Sequence, residues 1–279
     1  MKPAVRAAPS WVVLSCAALS VLIATAGCAG TPAALTDEGG EPARQGYLSE
    51  AELQALVATL SAPPVQGSAR ALADIERSDR FRALEDSDRW LLATAHAEIR
   101  PPLALQHFDC ALGVRLGSAE TPVLNRMMGR LFHDVDWVAE AVKAQHKRPR
   151  PVAVDPSRRA CQTLSDASRA SSSYPSGTSA LATAYGETLA VMAPDRGAAV
   201  RSVARSIGES RLVCAMHWPS DVAEGETLGF AVFARIGSSV LAFDADMAAA
   251  RVELDRARAA GLTNPGCAAE RAALATPLP

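Results

Sequence analysis

An all-α fold, built as a single compact helical domain, is predicted by three observations. Apolar residues recur at spacings of three and four rather than in strict alternation, aromatic residues are only 5 % of the chain, and Ala, Leu, Val and Arg dominate. At 279 residues and 49 % apolar, the chain can bury one sizeable core. No second domain and no repeat period is visible.

The elements follow in order. Residues 1–28 open with Lys2 and Arg6, continue through an apolar run from Trp11, and close on small residues around Cys28. That order predicts a secretory signal, and the "TAGC" ending predicts lipidation of Cys28, with plain cleavage nearby as the alternative. Residues 29–48 mix Gly, Pro, Ala and charge without periodicity, so a flexible tether is expected. Helical patterns then fill 49–265, at 50–60, 67–77, 87–99, 102–112, 121–145, 179–192, 196–216, 220–243 and 245–260. Prolines at 63–64, 101–102, 149–156, 175, 194 and 219 separate them. The apolar run 228–243 carries Arg235 and is expected to be a central buried helix rather than a membrane span. Residues 266–279 form a short carboxyl-terminal tail.

A net charge of −2 argues against a nucleic-acid partner and against electrostatic binding to a membrane surface, so membrane contact is expected only through a lipid anchor. Beyond Cys16 and Cys28 the chain has Cys110, Cys161, Cys214 and Cys267. Four cysteines in an exported chain predict two disulfides, with three connectivities open. No two of them stand at metal-ligand spacing, and no metal or cofactor is expected. Oligomeric state leaves no mark in the sequence.

Three places put polar residues where core is expected. In 196–216, Val200, Val203, Ala204, Ile207, Arg211 and Cys214 share one face, so Arg211 projects from a buried stripe and needs an anion. Glu209 or Glu187 as a structural partner is the alternative. Just beyond, Asp221 follows His217 by four residues and can accept its Nδ1 proton, leaving Nε2 with its lone pair; otherwise Asp221 only complements a helix amino terminus. In "KAQHKRPRPVAV", Lys143 flanks the buried stripe of 121–145, and Arg148 and Arg150 alternate with prolines that force extended chain. At least one of these cations can enter a cleft, unless the run is simply a solvated basic loop. In "SYPSGTSA", Pro175 suits a first helical position, which would leave the amides of Ser176, Gly177 and Thr178 unpaired, with Thr178 facing inward beside Leu181 and Tyr185. Alone, such a start commonly binds nothing. Together the three places predict a tetrahedral-oxyanion site with a nucleophile beside it.

The spacing Lys143, six residues, Arg150-Pro151, then Pro175-Ser176-Gly177, then Ser210-Arg211, five residues, His217, three residues, Asp221 resembles the three-part motif of the type 2 phosphatidic acid phosphatase superfamily, which includes vanadium haloperoxidases. "ESRLVCAMHWPSDV" and "SYPSG" are most similar to the bacterial class A non-specific acid phosphatases, and the likeness spans nearly all of the mature domain. The resemblance implies a metal-independent acid phosphatase of the periplasm, tethered to the outer membrane if Cys28 is lipidated, acting on small phosphomonoesters. It further implies that His217 forms a phosphohistidine, that Asp221 orients it, and that Lys143, Arg150, Arg211, Ser176 and Gly177 hold the phosphoryl oxygens. One position departs from the pattern: the family's general-acid histidine is Thr178 here. A threonine hydroxyl is too weak an acid for that role. Weakened turnover follows, or a catalytically silent phosphate binder; a vanadium-dependent haloperoxidase is the more distant alternative.

Overall fold

The computed structural model describes residues 45–116 and 120–279, which fall within one compact unit of the chain, Glu41–Pro279. The expected signal segment with Cys28, and the tether as far as residue 44, lie outside the described residues. Among the described residues twelve α-helices follow one another: α1 Glu50–Val57, α2 Ala69–Arg80, α3 Asp88–Ala95, α4 Asp109–Leu112, α5 Pro122–Gln145, α6 Pro151–Val154, α7 Asp166–Ala170, α8 Gly177–Met192, α9 Gly197–Val213, α10 Pro219–Ser239, α11 Leu241–Ala259 and α12 Cys267–Leu274. No strand occurs among the described residues, so the all-α expectation holds.

Helix α8 is the axis of the bundle. It packs against α5, α9 and α10, and its buried residues, from Ser179 to Met192, lie on all sides rather than along one stripe. Such a helix needs neighbours that come close, and glycines supply the approach. A Cβ on Gly186 would stand 2.7 Å from the Ala204 Cβ, one on Gly225 2.4 Å from the Ser176 carbonyl oxygen, and one on Gly229 2.2 Å from the Ala180 carbonyl oxygen. Helix α5 contributes the stripe Leu124, Met128, Leu131, Val135, Val138 and Val142, all buried as the spacing predicts.

Four features differ from the sequence reading. The buried central helix is α8, not the run 228–243. That run breaks at Val240, whose backbone is extended (φ −106°, ψ 98°) after the weak helix formers Gly237, Ser238 and Ser239, and α10 and α11 meet at a 99° bend. Among the described residues no single helix is long and apolar enough to cross a membrane. The pattern at 102–112 is a 3-10 turn, Leu103–Phe108, running into the short α4. At the end of the expected tether, Tyr47 and Leu48 are buried, and their amides donate to the Asp134 carboxylate at 2.7 and 3.2 Å. The expected tail contains α12, stapled to α4 by the disulfide Cys110–Cys267, while Leu278 packs on the cluster around Phe81 and Trp90.

The second disulfide, Cys161–Cys214, ties the loop before α7 to the end of α9. Closing loops of 157 and 53 residues, each bridge restricts the unfolded chain, an effect typically of about 2–4 kcal/mol.

The glycine contacts give opposite expectations within one helix. Gly229→Ala should cost about 1–3 kcal/mol by overpacking against α8, whereas Gly237→Ala, exposed and with nothing within 4 Å, should stabilise by about 0.5–1 kcal/mol through helix propensity. Urea unfolding of both variants checks the pair; equal signs would contradict the packing.

Candidate active site

The site forms where α9 ends and α10 begins. Arg211 lies in the last turn of α9. The chain then reverses through Ala215, held in the left-handed region at φ 51°, a conformation costly for a residue with a Cβ. The amides of Met216 and His217 return to the Arg211 carbonyl at 3.1 and 3.4 Å, and the Val152 amide donates to the Ala215 carbonyl at 3.1 Å. The disulfide at Cys214 secures the same turn. His217 follows, then Trp218 as the N-cap residue of α10 with Pro219 at its first position.

His217 is 3 % exposed, and its Nδ1 lies 2.6 Å from the Ser173 carbonyl oxygen. A carbonyl only accepts, so Nδ1 carries the proton and Nε2 keeps its lone pair. The expected Asp221 acceptor is not the one found: its Oδ2 stands 3.8 Å from Nδ1. Both carboxylate oxygens are engaged elsewhere, Oδ2 by the Trp218 amide at 2.8 Å and Oδ1 by Arg148 Nη1 at 2.6 Å. Asp221 therefore orients the histidine through the backbone. It caps the helix that starts beside His217, and its carbonyl accepts the Ser176 amide at 2.9 Å, joining α10 to the start of α8. Burial pushes its carboxyl up to about 6, while Arg148, the Trp218 amide and the Ser173 hydroxyl pull it down.

The Pro-spaced arginines do fan out. Arg148 turns away from the cavity of His217, to Asp221, Ser220 and Asp74, with Asp74 Oδ2 at 2.7 Å from Nη2. Asp74, 4 % exposed on α2, also accepts the Ser220 amide at 3.0 Å and the Ser220 hydroxyl. The sequence reading missed this residue, although it shares the buried face of α2 with Ala71 and Ser78 and was open to the same argument that singled out Arg211.

Arg150 turns inward. Neutral acceptors hold it: the Met216 carbonyl at 2.9 Å, the Ser172 carbonyl at 3.1 Å and the Ser171 hydroxyl at 3.0 Å, and its Nη1 is 3.2 Å from His217 Nε2. Among the described residues Arg211, 3 % exposed, reaches only Gln162 Oε1, at 3.1 Å from Nη2, and its Nε and Nη1 have no partner. Neither carboxylate considered for it is in place, since Glu187 binds Arg201 at 2.9 Å and Glu209 forms no ion pair with Arg211. Burial, reinforced by Arg150, lowers the Arg211 guanidinium to about 10, so it remains charged at neutral pH. Lys143 pairs with Glu140 at 2.6 Å, and a Cβ placed on Gly177 would be 3.6 Å from its Nζ.

These groups line a cavity of about 230 Å³ together with Gly177, Thr178, Leu181, Asp136, Phe132 and Arg100. Thr178 thus faces inward as its helical phase requires. Pro175 sits two residues ahead of the first helical position, which is Gly177. Ser176 is the N-cap of α8, with Oγ accepting the Ser179 amide at 3.3 Å, because serine caps better than the alternatives nearby. Ser176 is fully buried, does not line the cavity, and spends its own amide on Asp221, so the free amides are those of Gly177 and Thr178. Of the described histidines only His217 lines this cavity. His107 Nε2 is tied to the Glu98 carbonyl at 2.7 Å, and His146 packs against Tyr174 beside a separate cavity.

Burial, with Arg150, Arg211 and Lys143 adding repulsion, holds the His217 imidazole well below its usual 6.5. A guanidinium with unpartnered nitrogens, a second guanidinium held by neutral acceptors, a neutral imidazole and two free amides together can receive an anion with several oxygens beside an imidazole nitrogen.

Two outcomes follow. Without ligand, Arg211→Met should raise the unfolding free energy by about 1–3 kcal/mol, because it removes a buried charge that lacks a partner; a loss of that size would mean that the charge is compensated. In an NMR titration the His217 ring should remain neutral as pH falls through 6.5, where a free imidazole takes up its proton. The unfolded ring takes up its proton near 6.5, so this histidine should lower stability as pH falls below that value. Protonation of the folded ring at 6.5 would contradict the geometry.

Comparison with known proteins places these residues in context. The PAP2 superfamily pattern matches residues 135–242. The chain is 32 % identical over 206 residues to an acid phosphatase of Zymomonas mobilis, covering 73 % of this chain and 77 % of that one. It is 29 % identical over 174 residues to a non-specific acid phosphatase of Salmonella typhi (62 % and 69 % covered) and 26 % identical over 178 residues to one of Providencia stuartii (63 % and 71 %). Among solved structures, a transmembrane PAP2 type phosphatidylglycerolphosphate phosphatase of Bacillus subtilis aligns at 18 % identity with a TM-score of 0.47, over 67 % of this chain and 91 % of that one.

Proposed function

Since the chain belongs to the PAP2 superfamily and has acid phosphatases among its relatives, we propose that it is an exported acid phosphatase that hydrolyses small phosphomonoesters through a phosphohistidine on His217, without a metal. The observation that carries this reading is Arg211: a fully buried guanidinium with two unpartnered nitrogens, facing the same cavity as Arg150 and His217.

In this reading the phosphoryl group sits against the amides of Gly177 and Thr178, with Arg150, Arg211 and Lys143 neutralising its non-bridging oxygens. Phosphoryl transfer asks the protein mainly for positioning and charge stabilisation. His217 Nε2 attacks phosphorus, the P–N bond forms, the P–O bond opposite breaks, and the leaving oxygen takes a proton. Water then attacks the phosphohistidine, releasing inorganic phosphate and freeing Nε2. The Arg150 guanidinium, fixed through Nη1 by the Met216 carbonyl and through Nη2 by the Ser171 hydroxyl and Ser172 carbonyl, holds Nη1 3.2 Å from Nε2, beside the nitrogen that attacks in this reading. Ser176 acts indirectly, by capping α8 so that its first amides point at the ligand. Asp221 positions His217 through the start of α10.

Two disulfides support an oxidising compartment, in keeping with export to the periplasm and, with Cys28 lipidated, tethering at the outer membrane. The position of Thr178 supports a second reading, a phosphate binder that does not turn over, since the cavity holds no second histidine to protonate the leaving group.

Purified full chain assayed with p-nitrophenyl phosphate and with an alkyl phosphate separates the two. The enzyme reading expects turnover of at least the aryl ester, an acid-labile phosphoprotein trapped by rapid quenching, and loss of both in His217→Ala. Phosphate binding without turnover of either ester would establish the silent binder instead.

A further inference from the structure

In-line displacement places the leaving oxygen on the far side of phosphorus from His217 Nε2. Besides the groups already described, the cavity that holds His217 is lined by Phe132 and Asp136 of α5, by Ile99 and Arg100 of the segment after α3, and by Leu181 of α8. Asp136 is the one carboxyl in that lining. Among the described residues it makes no hydrogen bond and no ion pair, although it is only partly exposed and Arg100 and Lys143 are near enough to be felt.

The helix brings it to the ligand. Lys143 reaches back three residues to Glu140, and Asp136 precedes Glu140 by one turn, about 6 Å of rise on the same face of α5. Asp136 and Lys143 thus lie two turns apart along one face of α5, and both side chains line the cavity. A carboxyl in the lining of the cavity is placed to reach a leaving oxygen, directly or through one water.

We infer that Asp136, in its protonated form, is the general acid of this active site, giving its proton to the oxygen of the leaving alcohol as the P–O bond breaks, and so supplying what Thr178 lacks. The assignment rests on the phosphatase reading above. The carboxyl gives up its proton in the first step, and as a carboxylate it takes one back from the water that attacks the phosphohistidine, so the cycle closes without another reactant. The groups facing Asp136 are Glu140, Lys143 and His133 on its own helix, Arg100 from the segment after α3, and Tyr185 on α8. Burial and then Glu140 push its carboxyl up, while Lys143, Arg100 and His133 pull it down, and the upward causes prevail. A carboxylic acid raised in this way remains partly protonated at mildly acid pH.

The test compares full-length wild type with Asp136→Asn on an alkyl phosphate and on p-nitrophenyl phosphate, whose leaving group needs no proton. The alkyl kcat/KM should fall about a hundredfold or more, and the aryl value by less than about threefold. Asp136→Asn combined with Thr178→His should recover at least about tenfold of the alkyl loss. In wild type itself, alkyl turnover should decline as pH rises through a pKa above 3.8, a limb absent from the aryl profile; this readout needs no variant to fold. Equal losses on both esters, no loss on either, or matching pH limbs in wild type would overturn the assignment while leaving the phosphatase reading intact. A wild type that turned over neither ester would instead overturn that reading, and the assignment with it.

Discussion

The structure depends on one unfavourable arrangement, the burial of the Arg211 guanidinium with two nitrogens unpaired and a second guanidinium, Arg150, beside it. A protein interior accepts such a charge only where the rest of the fold leaves it no exit and where a ligand completes it. Each neighbour closes an exit. The cysteine pair locks the end of α9, the left-handed Ala215 turns the chain back at once, and glycines let α9 and α10 press α8 closely, so that Arg211 faces the cavity and not the outer surface. On the proposed reading, stability given up at this point is recovered when a tetrahedral anion arrives, which is a general way of making a site selective for charge.

The same charges set the state of the His217 imidazole. Beside two guanidiniums and an ammonium an imidazole stays neutral, and the Ser173 carbonyl fixes which nitrogen carries the proton. Asp221 acts one step back. By taking the Trp218 amide, the Ser176 amide through its carbonyl, and Arg148, it holds three chain segments in register around His217 without touching the ring. Asp74 extends this scaffold to α2. Removal of Asp221 therefore has consequences for helix docking as well as for the histidine.

Much of this was legible in the sequence because helical phase is. Arg211 stands out only against a stripe of Val200, Val203 and Ile207, and Thr178 only against Leu181, and both point where phase puts them. The Pro-spaced arginines were legible as an extended segment, but which of the two enters the cavity depends on tertiary partners such as Asp74 that lie far away in the chain. The acceptor of the His217 proton was hidden for a simpler reason: a backbone carbonyl carries no residue signature, so the nearby Asp221 drew the assignment. Asp136 was hidden because it lies at the polar margin of the α5 stripe, where a carboxylate is unremarkable until the cavity it lines is known. The pairing of the four cysteines, and the helix in the carboxyl-terminal segment that one pair secures, were likewise settled only by long-range contacts. The break at Val240 overrode an apolar pattern that continued through it.

The central claim is that the cavity of His217 is an oxyanion receptor held open by uncompensated buried charge. Calorimetric titration of the full chain with orthovanadate tests it most directly. The account predicts one anion bound per chain, with a rise in melting temperature on saturation that is absent when Arg211 is methionine. No heat of binding, together with an unchanged melting temperature at millimolar anion, would contradict it.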